Sequence, residues 1–243
     1  MVSFLNAVVK TSKKAILLGH RVSKIDSTGD VVKVHVGSKV FLAKKVISSI
    51  PLGVLKAGTV TFQPALSQDH AEAIRKIGFG VVDKLFVKLE KPFWKEGVKW
   101  VNFITKNLDQ NYFPNAYVVP KAKSHVVVFY VPGDFSLELS RLSKSLLKSK
   151  LEGYLTKFPT LEEVSVLDLE LTKWHADPNA LGSYSYYRVG CTDEHFDSLA
   201  APISNKVWMV GEHTSPEHNY FLQGAYNSGE KAANEVAQSL TKK

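Results

Sequence analysis

One stretch of this 243-residue sequence sets groups capable of chemistry at a useful spacing. The apolar run Val207–Val210 ends in Gly211-Glu212, and after a short loop a helix opens at Leu222-Gln223-Gly224-Ala225. A strand, a loop and a helix in that order present unpaired backbone N–H groups at the helix N-terminus, and such groups stabilise negative charge. Other candidate sets fall short. Cys191, Asp193 and His195 are metal-capable, but their spacing is not that of a zinc site. His213 and His218 stand five apart, off the spacing that puts two ligands on one helix face. No metal is therefore expected. The sequence also contains neither a nucleophile elbow nor a phosphate-binding GxxxxGK run.

Composition narrows the classes further. With 44% hydrophobic and 11% aromatic residues the chain reads as an ordinary globular protein. A net charge of +8 could suit nucleic acid, yet Lys13, Lys14, Lys44, Lys45, Lys144, Lys148 and Lys150 are scattered among apolar residues. No basic block or aromatic-basic alternation appears, so no specific nucleic-acid partner is expected. No apolar run is long enough to span a bilayer. The opening MVSFLNAVVKTSKK is too short and too interrupted for a signal peptide. The single cysteine, Cys191, rules out an internal disulfide framework and suits a reducing compartment, which makes cytoplasm or nucleus the expected location.

The elements that must hold these residues follow from periodicity. Ala15 to Pro51 reads as strands, beginning with ILLG. Val32, Val34 and Val36 alternate with Lys33 and His35, and turns are expected at Gly29-Asp30 and Gly37-Ser38. Residues 67–77 read as a helix with Ser67 as N-cap and an Ala71, Ile74, Ile77 stripe. VVDKLFVKL reads as the next strand. Further strands are expected near residues 100–105, 116–119, 126–131, 164–172 and 207–212. Residues 137–158 read as one amphipathic helix. The last helix is expected from about Phe221 to Leu240, with Ala225, Gly229, Ala232, Val236 and Leu240 on one face. The small residues at its start predict a close approach by another group.

Three segments carry a resemblance that covers most of the chain: residues 46–94 (VISSIPLGVLKAG to KLEKPFW), residues 174–186 (WHADPNALGSYSY), and residues 207–233 (VWMVGEHTSPEHNYFLQGAYNSGEKAA). In this order and spacing they resemble the C-terminal half of the flavin-containing amine oxidases, the family of monoamine and polyamine oxidases and flavin histone demethylases.

The resemblance implies a cofactor, FAD, and a role for individual residues. Gly211 and Glu212 would run along the ribityl and diphosphate part, with Glu212 accepting a cofactor hydroxyl. Leu222, Gly224 and Ala225 would bring the helix N-terminus to the pyrimidine edge of the flavin. Lys84, in Gly78-Phe79-Gly80-x-x-x-Lys84, would hold a water against the reactive flavin nitrogen. A buried lysine tends to have a lowered pKa, which suits oxygen chemistry. Trp174 resembles a flavin-packing tryptophan and Tyr184 the aromatic of a substrate cage, whose ring face attracts an amine. Phe221 matches a cage-wall position that also borders the cofactor, and the Val22 backbone a contact to the adenine end. The implied substrate is a small-molecule amine or a methylated lysine, oxidised to an imine with release of hydrogen peroxide.

The family's strand–GxGxxG–helix unit, whose glycines let the backbone approach the diphosphate, is not found in these residues. The expected architecture is therefore α/β, with residues 1–50 and 174–243 forming part of an FAD-binding domain and residues 51–173 a mixed-sheet substrate domain. A missing N-terminal half or a partner chain would complete it. A fragment, an incomplete gene model and a truncated paralogue all remain open as origins. Two rival functions stand beside amine oxidation: an inactive interaction module that has lost FAD, and a desaturase-type or porphyrinogen-oxidase-type flavoprotein with an apolar substrate.

Overall fold

The computed structural model of the chain describes residues 16–104, 113–120, 124–158, 161 and 164–241. It is a mixed α/β protein with several sheets. The first strands, β1 (Lys24–Asp26), β2 (Val32–Val36) and β3 (Lys39–Ala43), form an antiparallel meander. Gly37 makes the tight β2–β3 turn with φ of 55°, a conformation that glycine adopts without a Cβ penalty. β4 (Val46–Ser48) leads to Pro51 and the short helix α1 (Leu52–Ala57), which Gly58 ends in the left-handed region. β5 (Thr61–Gln63) then pairs parallel to β1, completing the sheet order β3-β2-β1-β5.

The next helix, α2 (Gln68–Lys76), begins where the sequence predicts. The Ser67 hydroxyl accepts the His70 N–H at 3.3 Å, Asp69 sits in the first turn, and Arg75 and Lys76 sit in the last. Beyond it come β6 (Gly78–Phe79), β7 (Val82–Leu89), β8 (Trp100–Asn102), β9 (Asn115–Val118) and β10 (His125–Pro132). Two helices follow, α3 (Gly133–Ser140) and α4 (Lys144–Leu155), and then β11 (Val166–Leu171). A five-stranded antiparallel sheet results, in the order β11-β7-β10-β9-β8. Along β7 burial alternates strictly, so one face is apolar and the other open. Leu85, Val87, Leu89, Val127, Phe129 and Val131 turn inward against Phe135, Leu139, Leu151 and Tyr154 of the two helices.

The chain closes with β12 (Ser185–Tyr186), α5 (Asp193–Ala200), β13 (Val207–Met209) and α6 (Leu222–Thr241). β12 pairs with β6, and β13 runs parallel to β4. A second core joins Ile25, Val32, Leu52, Ala73 and Ile77 to Phe196, Leu199, Val207 and Met209. Helices α1 and α2 thus pack with both ends of the described chain.

Several local expectations are corrected. The stretch 137–158 is two helices, because the chain turns at Arg141–Leu142 and restarts with the Ser143 hydroxyl accepting the Leu146 N–H at 3.3 Å. The break leaves Leu146 exposed while Leu139, Leu147, Leu151 and Leu155 remain buried. Ile16, Leu17 and Leu18 are exposed and form no strand; Ala15 and Thr105 lie outside the described residues. The apolar run after residue 39 is two strands, split at Lys44-Lys45. On α6 the buried residues are Gly224 and Ala232, so the packed stripe is rotated from the expected one and Leu240 is exposed. The close approach falls at Gly224, where a Cβ would lie 2.1 Å from the His218 carbonyl oxygen. Gly229 faces open space.

Candidate active site

A series of hydrogen bonds, linked by short stretches of chain, joins the chemically interesting segments. Asp83 on β7 is fully buried, and its carboxylate accepts the Trp174 N–H at 2.9 Å and the Thr172 hydroxyl at 2.8 Å. The Thr172 oxygen in turn accepts the Lys84 N–H at 2.9 Å. From Trp174 the path continues through its carbonyl, which accepts the Gly182 N–H, and through Ser183, whose hydroxyl accepts the Val82 N–H at 2.8 Å. Next, the Tyr184 carbonyl accepts the Gly80 N–H at 2.9 Å. Ser185 then donates its hydroxyl to Glu212 at 2.6 Å, and Glu212 also accepts the Tyr220 N–H at 2.6 Å, one residue before Phe221. The segments that carry Lys84, Trp174, Tyr184 and Glu212 are therefore tied to one another and to the loop just before Phe221 and Leu222.

Gly211, just past β13, has φ of 143°, a conformation nearly closed to residues with a side chain. The turn aims the Glu212 carboxylate toward the chain entering α6 rather than into bulk solvent. Beyond it, the first turn of α6 leaves N–H groups at Leu222 and Gln223 with no acceptor inside the helix. Gly224 and Ala225 donate back to the Phe221 carbonyl, which tightens this helix start. At this helix start Phe221 and Leu222 keep nearly half of their surface exposed, as does Trp174 on its own segment.

Lys84 departs from expectation: it is exposed, because the β7 alternation puts it on the open face of the five-stranded sheet. There its Nζ lies 5.6 Å from the centre of the Tyr130 ring, its cross-strand partner. Tyr130 continues into Trp100 at 5.6 Å between ring centres, and Trp100 into Tyr117 at 5.1 Å. Sequence pattern alone marks none of these three aromatics as a site residue. Their signal is their phase, since each is in register with an outward position of its neighbouring strand. Tyr184 belongs to the same neighbourhood. Burial holds its phenol pKa above the ordinary value, and the nearby Tyr130 pushes in the same direction.

Val22 stands apart from this group. It borders a cleft of about 410 Å³ shared with Ile47, Ser48, Pro51 and Asn179. The Arg21 guanidinium reaches the Pro178 carbonyl at 3.4 Å, so this cleft adjoins the loop that follows Trp174. Ser48 Oγ is buried there without a hydrogen-bond partner. Among the described residues no three His, Cys, Asp or Glu side chains gather as a metal-ligand set. Nor is any helix among them long and apolar enough to cross a membrane.

Comparison with known proteins decides the family. The profile of flavin containing amine oxidoreductases matches residues 1–237. This chain belongs to that family. It is 32% identical over 240 residues to polyamine oxidase 2 of Arabidopsis thaliana, covering 96% of this chain and 47% of that protein. Polyamine oxidase 3 of Oryza sativa subsp. japonica is likewise 32% identical, over 97% of this chain and 48% of its own length. Lysine-specific histone demethylase 1 homolog 2 of Oryza sativa subsp. japonica is 28% identical over 91% of this chain and 30% of its length. The chain thus spans about half or less of the curated relatives it matches.

The family uses a flavin, and the residues present fit one. An unpartnered buried hydroxyl at Ser48, a helix N-terminus with free donors, and half-exposed apolar side chains at Trp174 and Leu222 suit a ligand with a polar tail and a large planar ring.

Proposed function

We propose that this chain supplies the substrate face and the C-terminal part of the cofactor site of an FAD-dependent amine oxidase. Its substrate would be a polyamine-type or methyl-lysine-type amine. The observation that supports this reading is the series of hydrogen bonds that links the Lys84 and Trp174 backbones to Asp83 and Thr172, and Ser185 to Glu212 and the chain entering α6. Bound there, FAD would supply the two-electron oxidation of the amine C–N bond, with oxygen leaving as hydrogen peroxide.

In this reading each residue has a separable role. The Leu222 N–H, at a helix start shaped by Gly224 and Ala225, faces the edge of the ring system where negative charge collects. Gly211 lets the backbone come close, and Glu212 offers its remaining lone pairs to cofactor hydroxyls while Ser185 and Tyr220 hold it still. Val22 and Ser48 line the cleft for the adenosine end. Trp174 and Phe221 cover the ring system, and Tyr184 with Phe221 offers aromatic faces to an ammonium group. Lys84 holds a water on the reacting side, and the exposed position of its amine leaves it free to do so.

We further propose a two-part division of the chain. Residues 1–50 and 174–243 would belong to the FAD-binding unit, with 51–173 forming the substrate domain. Helices α1 and α2, at the start of the second span, share a core with the first unit, so the two parts would join through these helices. A missing N-terminal half or a partner chain carrying a GxGxxG unit would complete the cofactor site.

The test is a peroxide assay on the full-length flavin-loaded protein with a polyamine and with a methyl-lysine peptide in separate arms. Release of peroxide with either amine supports the reading. A protein that holds no flavin, or holds it and oxidises neither amine, would sink it.

A further inference from the structure

We propose that Asp83 is a positioning residue of the candidate site, locking Trp174 and the Lys84 backbone into one rigid unit. What the unit serves rests on the functional reading above. The lock itself rests on geometry alone. In β7 the inward positions are Asp83, Leu85, Val87 and Leu89, so a carboxylate occupies a place where the alternation calls for an apolar side chain. A fully buried carboxylate is costly unless it is thoroughly hydrogen-bonded.

Asp83 is satisfied by three donors from two distant pieces of chain. The Ser136 hydroxyl of α3 donates to Oδ2 at 2.5 Å, while Oδ1 takes the Thr172 hydroxyl at 2.8 Å and the Trp174 N–H at 2.9 Å. His175 Nδ1, which lacks a hydrogen-bond partner, lies 3.7 Å from Oδ2. Thr172 passes the constraint on, because its oxygen accepts the Lys84 N–H and its own N–H donates to the Lys84 carbonyl at 3.0 Å. One charge therefore fixes the point where the chain leaves β11 and turns toward Trp174, and it fixes Lys84 through the adjacent strand. A neutral amide cannot copy this. An Asn side chain brings its own N–H donors to a site already filled with donors, and one of the three bonds must be lost or a hydroxyl reversed.

The experiment compares wild type, Asp83→Asn and Thr172→Val in the full-length protein, the second variant removing the hydroxyl that accepts the Lys84 N–H while leaving the carboxylate in place. Amide hydrogen exchange needs no cofactor. At Trp174 and Lys84 it is expected to accelerate about tenfold or more in Asp83→Asn, with Leu151 in α4 unchanged. In flavin-loaded protein, either variant is expected to slow flavin reoxidation by oxygen about tenfold, while the amine KM stays within about twofold. A merely structural role would lower the melting temperature and leave that rate alone. Unchanged exchange in Asp83→Asn overturns the lock, and faster exchange with an unchanged reoxidation rate overturns its service to the site. A wild type without flavin would count against the functional reading instead, and the exchange arm would still decide whether Asp83 holds the two residues.

Discussion

Glu212 accepts the hydroxyl of Ser185 at 2.6 Å across 27 residues of sequence. Ser185 is fully buried and also donates its N–H to the same carboxylate at 3.1 Å, so this one contact pins β12 to the loop after β13. Ser185→Ala removes the hydroxyl and leaves a partly buried carboxylate short of a donor. A loss of about 1–3 kcal/mol is expected, the cost of an unsatisfied polar group. A denaturant titration reads it as a lower midpoint at unchanged slope. An unmoved midpoint would mean that water replaces the hydroxyl without penalty.

The open face of the five-stranded sheet carries a second prediction. Lys84, Tyr130, Trp100 and Tyr117 form a cation and three rings in sequence. Lys84→Met is expected to slow flavin reoxidation far more than it weakens amine binding, because the amine group is the part removed. Trp100→Leu should do the reverse, raising the amine KM about two- to thirtyfold, the range of a lost cation–π contact. Stopped-flow reoxidation and steady-state kinetics on the full-length protein separate the two effects. If Lys84→Met reoxidises at the wild-type rate, Lys84 has no part in oxygen chemistry.

How much of this could be read from sequence depends on how local the signal is. Ser67, the Gly37 turn and the strand-loop-helix around Gly211 and Leu222 are short-range patterns, and the structure forms each of them. The break at Ser143 was hidden because Leu139, Leu142 and Leu146 keep helical spacing straight across it. The ring series was hidden for another reason. Trp100, Tyr117 and Tyr130 meet only through pairing of three strands, which no single window of sequence contains. Asp83 was legible in part, since it is in phase with Leu85 and Val87, but its donors at Ser136, Thr172 and Trp174 come from far along the chain.

His213 gives a pH prediction. It is buried in the turn after Gly211 with Nε2 unpartnered, and burial pushes its pKa from 6.5 down to about 4. Below pH 6.5 the unfolded chain takes up a proton that the folded chain refuses. Its share of stability is therefore fully present above pH 6.5 and is lost as the pH falls toward 4, with a slope of at most about 1.4 kcal/mol per pH unit. Melting temperatures at pH 7.5 and 5.5 should differ more for wild type than for His213→Gln. Equal differences would show that His213 reaches a proton in the folded state.

The last prediction concerns the free edge of β13. Val207 exchanges backbone hydrogen bonds with Ile203, and Lys206 and Val210 bond across to β4. The Met209 N–H and carbonyl point to the side away from β4, and no strand pairs there among the described residues. Val207, Trp208 and Met209 are all buried, so this edge belongs to an apolar element whose ladder stops early. Such an edge recruits another strand, either a proper partner or a second copy. The 243 residues also hold no GxGxxG run to bring a backbone against the cofactor diphosphate. Expressed by themselves they are expected to bind FAD weakly or not at all and to self-associate. Adding a segment that carries a GxGxxG strand should restore both the yellow colour and a single species. The visible spectrum gives flavin content and light scattering gives mass. A monomer that is stoichiometrically yellow without any added segment would show that β13 needs no neighbour and that the diphosphate is held by residues described here.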